Sequence, residues 1–252
     1  MSVSLQKGQK VSLTKDNAGL SSVVVGLGWD EVQKKGLLGG LFGGGQAEID
    51  CDASALMLRG GKLLDKSDII YFGNLTHPTG TVRHMGDNLT GAGDGDDEQI
   101  VIDLARVPAE YDRIVLVVNI YQAVQRRQHF GMIQNAFIRI VDASTNQELC
   151  KYNLNENYTN MTAMIFGEVY RHNGEWKFNA IGQATTDPGL GELIGRYAAI
   201  IYCKHKPAFQ SQERGAGFVP LFPDMLEEKS SCTSMDYLIK RRPPPEKNTA
   251  AT

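Results

Sequence analysis

Short runs of β-branched and aliphatic residues recur along the chain and are separated by turn-forming residues. The most apolar run, 113–121, reads Arg-Ile-Val-Leu-Val-Val-Asn-Ile-Tyr, which is typical of a central strand buried on both faces. Asn173-Gly174 separates two further runs, 162–172 and 175–182, and this dipeptide is a strong signal for a β-hairpin. About ten such runs at short spacing predict an all-β fold, an antiparallel β-sandwich of two sheets.

Both ends of the chain add to this predicted sandwich. Between residues 3 and 13, two alternating apolar and polar runs flank a Gly-Gln pair and predict an opening hairpin. Apolar residues in 189–202 recur at helical spacing and predict a single amphipathic helix that packs on the sandwich. Beyond it the sequence becomes polar and irregular, so we expect one domain over 1–203 and a mostly disordered extension over 204–252.

The overall composition restricts the class of protein. The formal net charge of −3 offers no electrostatic basis for binding nucleic acid. The N-terminal residues lack the apolar segment of a signal peptide, and no apolar run is long enough to span a membrane. The four cysteines, Cys51, Cys150, Cys203 and Cys232, are not closely paired and suit a reducing compartment. We therefore expect a cytoplasmic protein.

The stretch 86–98 has a composition that favours cation binding. It contains five carboxylates, four glycines and no Lys or Arg. Like charges this close repel one another unless a cation neutralises them, and oxygen ligands on a flexible loop suit Ca²⁺. The stretch is not an EF-hand, because Leu89 and Gly91 stand where side-chain oxygens are required. A solvated acidic turn is the alternative, and the absence of a basic residue nearby in sequence argues against it.

Asp50 and Asp52 form a second acidic element. Side chains alternate along a strand, so these two carboxylates lie on one side of a predicted strand while Cys51 faces the other. Two carboxylates in an apolar run are costly unless a cation lies between them. We therefore expect this pair to complete a composite site with the acidic stretch. Asp30 follows a predicted strand, and its spacing alone favours a turn residue whose side chain caps its own backbone.

Two other functions fit parts of the sequence. Paired carboxylates also hold Mg²⁺, so the acidic stretch could serve a metal-dependent hydrolase with His84 or His129 as the base. A lone His near a turn is, however, more often an ordinary surface or core-edge residue. The glycine-rich segment 36–45 contains Leu-Leu and Leu-Phe pairs, which suit either an interaction surface or a mobile loop.

Several motifs occur in the order found in TerD-like proteins, the tellurium-resistance and general stress proteins of bacteria. They are Val11-Ser12-Leu13-Thr14-Lys15, Gly26-Leu27-Gly28-Trp29-Asp30, Asp50-Cys51-Asp52-Ala53-Ser54, Gly86-Asp87-Asn88-Leu89-Thr90-Gly91, Gly95-Asp96-Asp97-Glu98, Phe130-Gly131 and Glu175-Trp176-Lys177-Phe178. The chain resembles this family over residues 3–197. The resemblance implies a β-sandwich that binds two calcium ions near one end, with no established catalytic activity. It also implies a cytoplasmic stress protein in a membrane-associated complex with an integral TerC-like protein.

The resemblance also implies a set of metal ligands, and it makes Asp30 a ligand or a near neighbour of one. The implied ligands are Asp30, Asp50, Asp52, Asp87, Asn88, Asp96, Asp97 and Glu98. The chain departs from the family pattern between Asp30 and Asp50, where it is longer and glycine-rich, and after about residue 204. These two departures weaken a direct transfer of the family's partners.

Overall fold

Two six-stranded sheets make up the described part of the molecule. A computed structural model describes residues 2–31, 49–87 and 95–198, apart from the side chains of Glu31 and Asp87. The first sheet contains β1 (Val3–Leu5), β3 (Val23–Glu31), β6 (Val82–Asp87), β7 (Glu98–Ile102), β9 (Ile133–Asp142) and β10 (Glu148–Asn153). The second sheet contains β2 (Lys10–Ser12), β4 (Cys51–Leu58), β5 (Ile69–Ile70), β8 (Arg113–Ile120), β11 (Ala163–His172) and β12 (Glu175–Thr185).

The order of the strands explains which segments meet. The first sheet runs β1-β10-β9-β3-β7-β6 and the second β2-β12-β11-β8-β4-β5. Every named pairing is antiparallel except that of β1 with β10. The predicted all-β sandwich is therefore confirmed.

Alternating apolar side chains from both sheets form one core. Val25, Ile100 and Ile138 of the first sheet and Leu116 and Phe166 of the second are all fully buried within it. On β8, seven of the eight residues are buried, so this strand is covered on both faces, as its unbroken apolar sequence predicts.

The predicted opening hairpin is wrong. The two short strands between residues 3 and 13 do not pair with each other: β1 joins β10 in one sheet, and β2 joins β12 in the other. Gly8 lies between them with φ +80°, and its N–H donates to the carbonyl of Ala180 at 2.6 Å. The alternating pattern identified the strands correctly. Their partners lie more than a hundred residues away in sequence, and local pattern does not reveal them.

The hairpin at Asn173-Gly174 is confirmed. β11 and β12 pair in antiparallel register from His172–Glu175 to Ala163–Thr185. Asn173 and Gly174 have φ values of +53° and +78°. Two successive residues with positive φ give the turn a twist that matches the flanking strands, and Asn and Gly tolerate that conformation best.

The amphipathic helix is shorter than the predicted 189–202. Two α-helices lie in the described ranges, α1 (Ala123–Arg126) and α2 (Leu190–Gly195), with 3₁₀ turns at Lys66–Asp68 and Phe130–Met132. The apolar side of α2 is buried through Leu190, Leu193 and Ile194. After α2, Ala198 forms a parallel bridge with Leu63.

A buried polar network lies beside β5. Asp68, which is 1% exposed, accepts hydrogen bonds from Tyr111 Oη at 2.7 Å and Arg59 Nη2 at 2.8 Å. His77 Nε2 lies 3.2 Å from the same carboxylate. The pKa of Tyr111 is raised to about 12, mainly by burial and secondly by the hydrogen bond to Asp68. This network fixes the loop before β6, because each member contributes from a different segment.

The remaining predictions about organisation concern residues beyond this description. The chain divides into two units, Met1–Ala198 and Ala199–Thr252, and every strand named above belongs to the first. The glycine-rich segment 36–45 and the extension 204–252 lie outside the described residues. None of the helices within 2–31, 49–87 and 95–198 has the length and apolar character needed to cross a membrane.

Candidate functional site

The predicted site residues come from separate segments that meet at one end of the sandwich. Asp30 lies near the end of β3, Asp50 and Asp52 at the start of β4, Asp87 at the end of β6, and Asp96, Asp97 and Glu98 at the start of β7. Backbone register joins three of these strands, since Glu98 is paired with Leu27 on one side and Asp87 on the other. Asn88 lies outside the described residues.

Two glycines on β3 make room for the segment that leads into β7. Gly26 and Gly28 alternate with the buried core residue Leu27, so both face away from the core. A Cβ at Gly26 would overlap the carboxylate of Asp96, and one at Gly28 would lie 2.5 Å from the ring of Phe137 and 3.2 Å from the carbonyl oxygen of Gly95. Glycine at these positions therefore lets the segment lie flat against the outer face of the sheet.

The carboxylate of Asp96 is held by a basic residue of the neighbouring strand. Arg139 of β9 is paired in register with Gly26, and its Nε and Nη2 donate to Asp96 at 2.7 and 3.1 Å. Gln99 Nε2 donates to the same carboxylate at 3.0 Å. The Asp96 side chain is only 1% exposed. Its charge is thus neutralised by Arg139, a partner that no residue close in sequence would have suggested.

Asp97 is anchored through its backbone and its side chain. Its N–H donates to the carbonyl of Leu27 at 2.8 Å, and one carboxylate oxygen accepts from the N–H of Trp29 at 2.7 Å. Partial burial raises the pKa of the Asp97 carboxyl, the Trp29 hydrogen bond opposes that rise, and the charges of Asp30 and Asp96 add to it. The Asp97 carboxylate is therefore repelled by its negative neighbours, and a bound cation would offset that repulsion.

Glu98 connects the two sheets. Its carboxylate, 3% exposed, accepts a hydrogen bond from the N–H of Ala53 on β4 at 2.5 Å. The same oxygen lies 3.5 Å from Nε2 of the buried His84 on β6. This contact brings the start of β7 against the start of β4, as the predicted composite site requires.

The thiol of Cys51 shows that the carboxylates of both sheets lie close together. Burial raises the pKa of this thiol well above its ordinary value, and the negative charges of Asp52, Glu98, Asp50 and Asp97 raise it further, in that order. Cys51 belongs to the apolar core, whereas Asp52 does not, which agrees with the predicted alternation along β4. These carboxylates come from the starts of β4 and β7, which the hydrogen bond between Ala53 and Glu98 brings together.

Asp30 lies at the edge of this group. It is exposed, and its carboxylate accepts a hydrogen bond from Asn135 Nδ2 at 2.8 Å. Its charge contributes to the raised pKa of Asp97, so the two carboxylates are near neighbours. Asp30 is not the turn residue that its position in the sequence predicts. It lies in the second half of β3, opposite Gln134 of β9.

The donor chemistry of this end fits a hard divalent cation. Its donors are carboxylate oxygens, which Ca²⁺ prefers. Within 2–31, 49–87 and 95–198, no three His, Cys, Asp or Glu side chains are grouped closely enough to hold a metal ion by themselves. The described residues alone therefore do not make up a complete ligand set. The side chain of Asp87 and residues 88–94 lie outside the description.

Sequence reasoning missed the residues that hold the carboxylates in place. Arg139 contacts Asp96, and the backbone N–H of Trp29 contacts Asp97. Glu98 is contacted by His84 and by the backbone N–H of Ala53. A backbone donor leaves no mark on the sequence. One signal was present, namely the two glycines spaced for one face of β3, which indicate that another segment packs closely there.

Comparisons with known proteins agree with this architecture. The family model described as "TerD domain" matches residues 1–197. The chain is 57% identical over 198 residues to "Stress response protein SCP2" of Bacillus subtilis (strain 168), covering 78% of this chain and 100% of that protein. It is 47% identical over 198 residues to "Tellurium resistance protein TerD" of Serratia marcescens, covering 78% of this chain and 97% of that protein.

A solved structure supports the fold. The crystal structure of a protein titled "unknown function protein SAV2460" matches with a TM-score of 0.50 and 24% identity, covering 67% of this chain and 92% of that one. At this identity the match speaks for the fold alone. The family model and the curated relatives show that the chain belongs to the TerD family of tellurium-resistance and general stress proteins.

Proposed function

We propose that this protein is a calcium-binding, non-catalytic stress-response protein. The observation that carries the proposal is the hydrogen bond from the N–H of Ala53 to Glu98, which brings the acidic residues that lead into β7 beside Asp50 and Asp52 of the other sheet. Such a cluster repels itself, and a divalent cation would turn that repulsion into attraction. The chemistry a bound ion supplies is therefore cohesion between β4, β7 and the acidic stretch.

The proposed ligand set combines carboxylates of the described strands with the ligands that the family resemblance implies in the acidic stretch. Asp97 and Glu98 are each held by a backbone N–H, which orients their carboxylates before any ion binds. We assign the site, for two calcium ions, to Asp30, Asp50, Asp52, Asp87, Asn88, Asp97 and Glu98. Asp96 belongs to the same site, but its pairing with Arg139 gives it a supporting part.

The calcium-loaded end is proposed to act as a docking surface. Two relatives are named "Tellurium resistance protein TerD" and "Stress response protein SCP2". Because of its similarity to them, we assign this chain to the same kind of stress response. We further propose a cytoplasmic protein recruited to the inner face of the membrane by an integral TerC-like partner. Capture of that partner from membranes in calcium but not in chelator supports this, and equal capture in both conditions contradicts it.

The geometry does not favour the alternative of a metal-dependent hydrolase. His84 is buried, its Nδ1 accepts the N–H of Gly86 at 3.0 Å, and its Nε2 faces Glu98. A general base must reach the proton of a substrate or water. His129, the other candidate, is half-buried at the start of a 3₁₀ turn and is not among the groups around Cys51. Neither His is placed as a base for the acidic site.

Calcium titration tests the proposed function. A ligand that binds only the folded state stabilises it by about 2.7 kcal/mol at a hundredfold excess over Kd. For a domain of this size that corresponds to a rise in melting temperature of roughly 5–10 °C. We expect this rise with Ca²⁺, a smaller one with Mg²⁺ and its reversal by chelator, measured by calorimetry. A melting temperature unchanged between calcium and chelator would refute the proposal.

A further inference from the structure

We propose that Arg139 is a positioning residue for the cation site, holding Asp96 against Gly26 so that Asp97 and Glu98 are presented at the correct place. The inference rests on the proposed function. Arg139 lies on β9, where its guanidinium pairs with Asp96 and, at 3.6 Å, with Glu148. It would act entirely through Asp96, the residue directly before Asp97.

The contact between Arg139 and Asp96 has the geometry of a strong ion pair. Two guanidinium nitrogens donate to the two carboxylate oxygens, at 2.7 and 3.1 Å. The Asp96 side chain is 1% exposed and that of Arg139 is 32% exposed. Bidentate pairing fixes the direction of a carboxylate as well as its position, which a single point charge does not.

The seat for this pair is built into β3. Gly26 lies opposite Arg139 in the register of β3 and β9, and opposite Gln99 in the register of β3 and β7. The missing Cβ of Gly26 leaves the space that the Asp96 carboxylate occupies. Arg139, Gln99 and Gly26 thus come from three adjacent strands and together surround one carboxylate.

Three consecutive carboxylates are therefore anchored by three different partners. Asp96 is held by a side chain, Asp97 by the N–H of Trp29 and Glu98 by the N–H of Ala53. Without Arg139, the buried charge of Asp96 would lose its counter-charge and move toward water. That movement would pull on Asp97 and on its backbone bond to Leu27.

The direction in which calcium affinity changes when Arg139 is removed distinguishes a positioning role from a purely electrostatic one. Removing a positive charge near a cation site strengthens cation binding if only Coulomb interaction matters. Removing a residue that orients the ligands weakens binding, typically by about 10- to 100-fold for a partner of a metal ligand. We therefore expect Arg139→Gln to bind calcium about tenfold or more weakly, against the Coulomb expectation.

The experiment measures calcium affinity by calorimetric titration, and amide hydrogen exchange of the metal-free protein, in three variants. Arg139→Gln should lower both affinity and the protection of the Asp97 N–H, whereas Arg139→Lys, which keeps the charge but not the fork, should recover part of each. Arg113→Gln is the matched control, because Arg113 pairs with Glu168 on the other sheet at 2.6 Å. It should leave calcium affinity and Asp97 protection unchanged.

Gly26→Ala provides a test that changes no charge. Its Cβ would displace the Asp96 carboxylate, so the variant should weaken calcium binding in the same direction as Arg139→Gln. Calcium affinity that is unchanged or tighter in Arg139→Gln would overturn the inference and leave the proposed function intact. If the wild-type protein does not bind calcium, the proposed function fails, and the inference is judged on Asp97 protection, where no change overturns it.

Discussion

Asp97→Asn should weaken calcium binding about 1,000-fold and leave the metal-free protein at least as stable as the wild type. The substitution keeps the shape of the side chain and an oxygen that can accept from Trp29 N–H. It removes one negative charge from the site, which at about 4 Å and at the effective dielectric of a protein surface contributes about 4 kcal/mol, or three powers of ten in affinity. Titration calorimetry measures the loss directly.

The metal-free comparison makes this prediction specific. The pKa of Asp97 is raised by burial and by the neighbouring charges of Asp30 and Asp96, so its ionised form is disfavoured without a cation. Removing that charge relieves repulsion in the metal-free protein. Asp103→Asn is a suitable control, since Asp103 follows the other end of β7 and pairs with Arg106 on the surface. Equal effects of the two variants on calcium affinity would contradict the assignment of Asp97.

Asp68→Asn should lower the free energy of unfolding by about 3–5 kcal/mol, the usual cost of removing one partner from a buried charge pair. Arg59, Tyr111 and His77 all direct polar atoms at this carboxylate, which is 1% exposed. An amide in its place would direct its own N–H donors at the donor groups of its neighbours. The fall should appear as a melting temperature lower by roughly 6–20 °C in scanning calorimetry.

A spectroscopic change should accompany this loss of stability. Asp68 contributes to the raised pKa of Tyr111, second to burial, so the phenol should titrate at lower pH in Asp68→Asn. Asp103→Asn again serves as the control, because its exposed pair with Arg106 is expected to contribute no more than about 1 kcal/mol. A loss of stability in Asp68→Asn below about 1 kcal/mol would show that the network adds little to the fold.

Local sequence patterns predicted the strands well because those patterns are themselves local. Alternation of apolar residues identified β7 and β12, and Asn173-Gly174 identified the turn between β11 and β12. The helical spacing after Gly189 correctly indicated a helix, but it did not give the end of α2. Three residues beyond that end, Ala198 forms a bridge with Leu63, a contact between distant segments.

The candidate site was predictable in its carboxylates and not in their environment. Asp50, Asp52, Asp97 and Glu98 could be selected because like charges in glycine-rich or apolar sequence need a partner. Which of the acidic residues already has a protein partner depends on the register of β3 with β9. That register places Arg139 opposite Gly26 and so within reach of Asp96.

Short strands, the turn at Asn173-Gly174 and the concentration of carboxylates on one glycine-rich stretch are all evident in the local sequence. These properties depend on backbone preference and on the charge of neighbouring residues. Three features depend instead on the folded chain: β1 and β2 belong to different sheets, Glu98 reaches Ala53, and Asp96 is neutralised by Arg139. They could not be predicted because strand pairing brings together residues far apart in sequence, and burial then determines how strongly their charges interact.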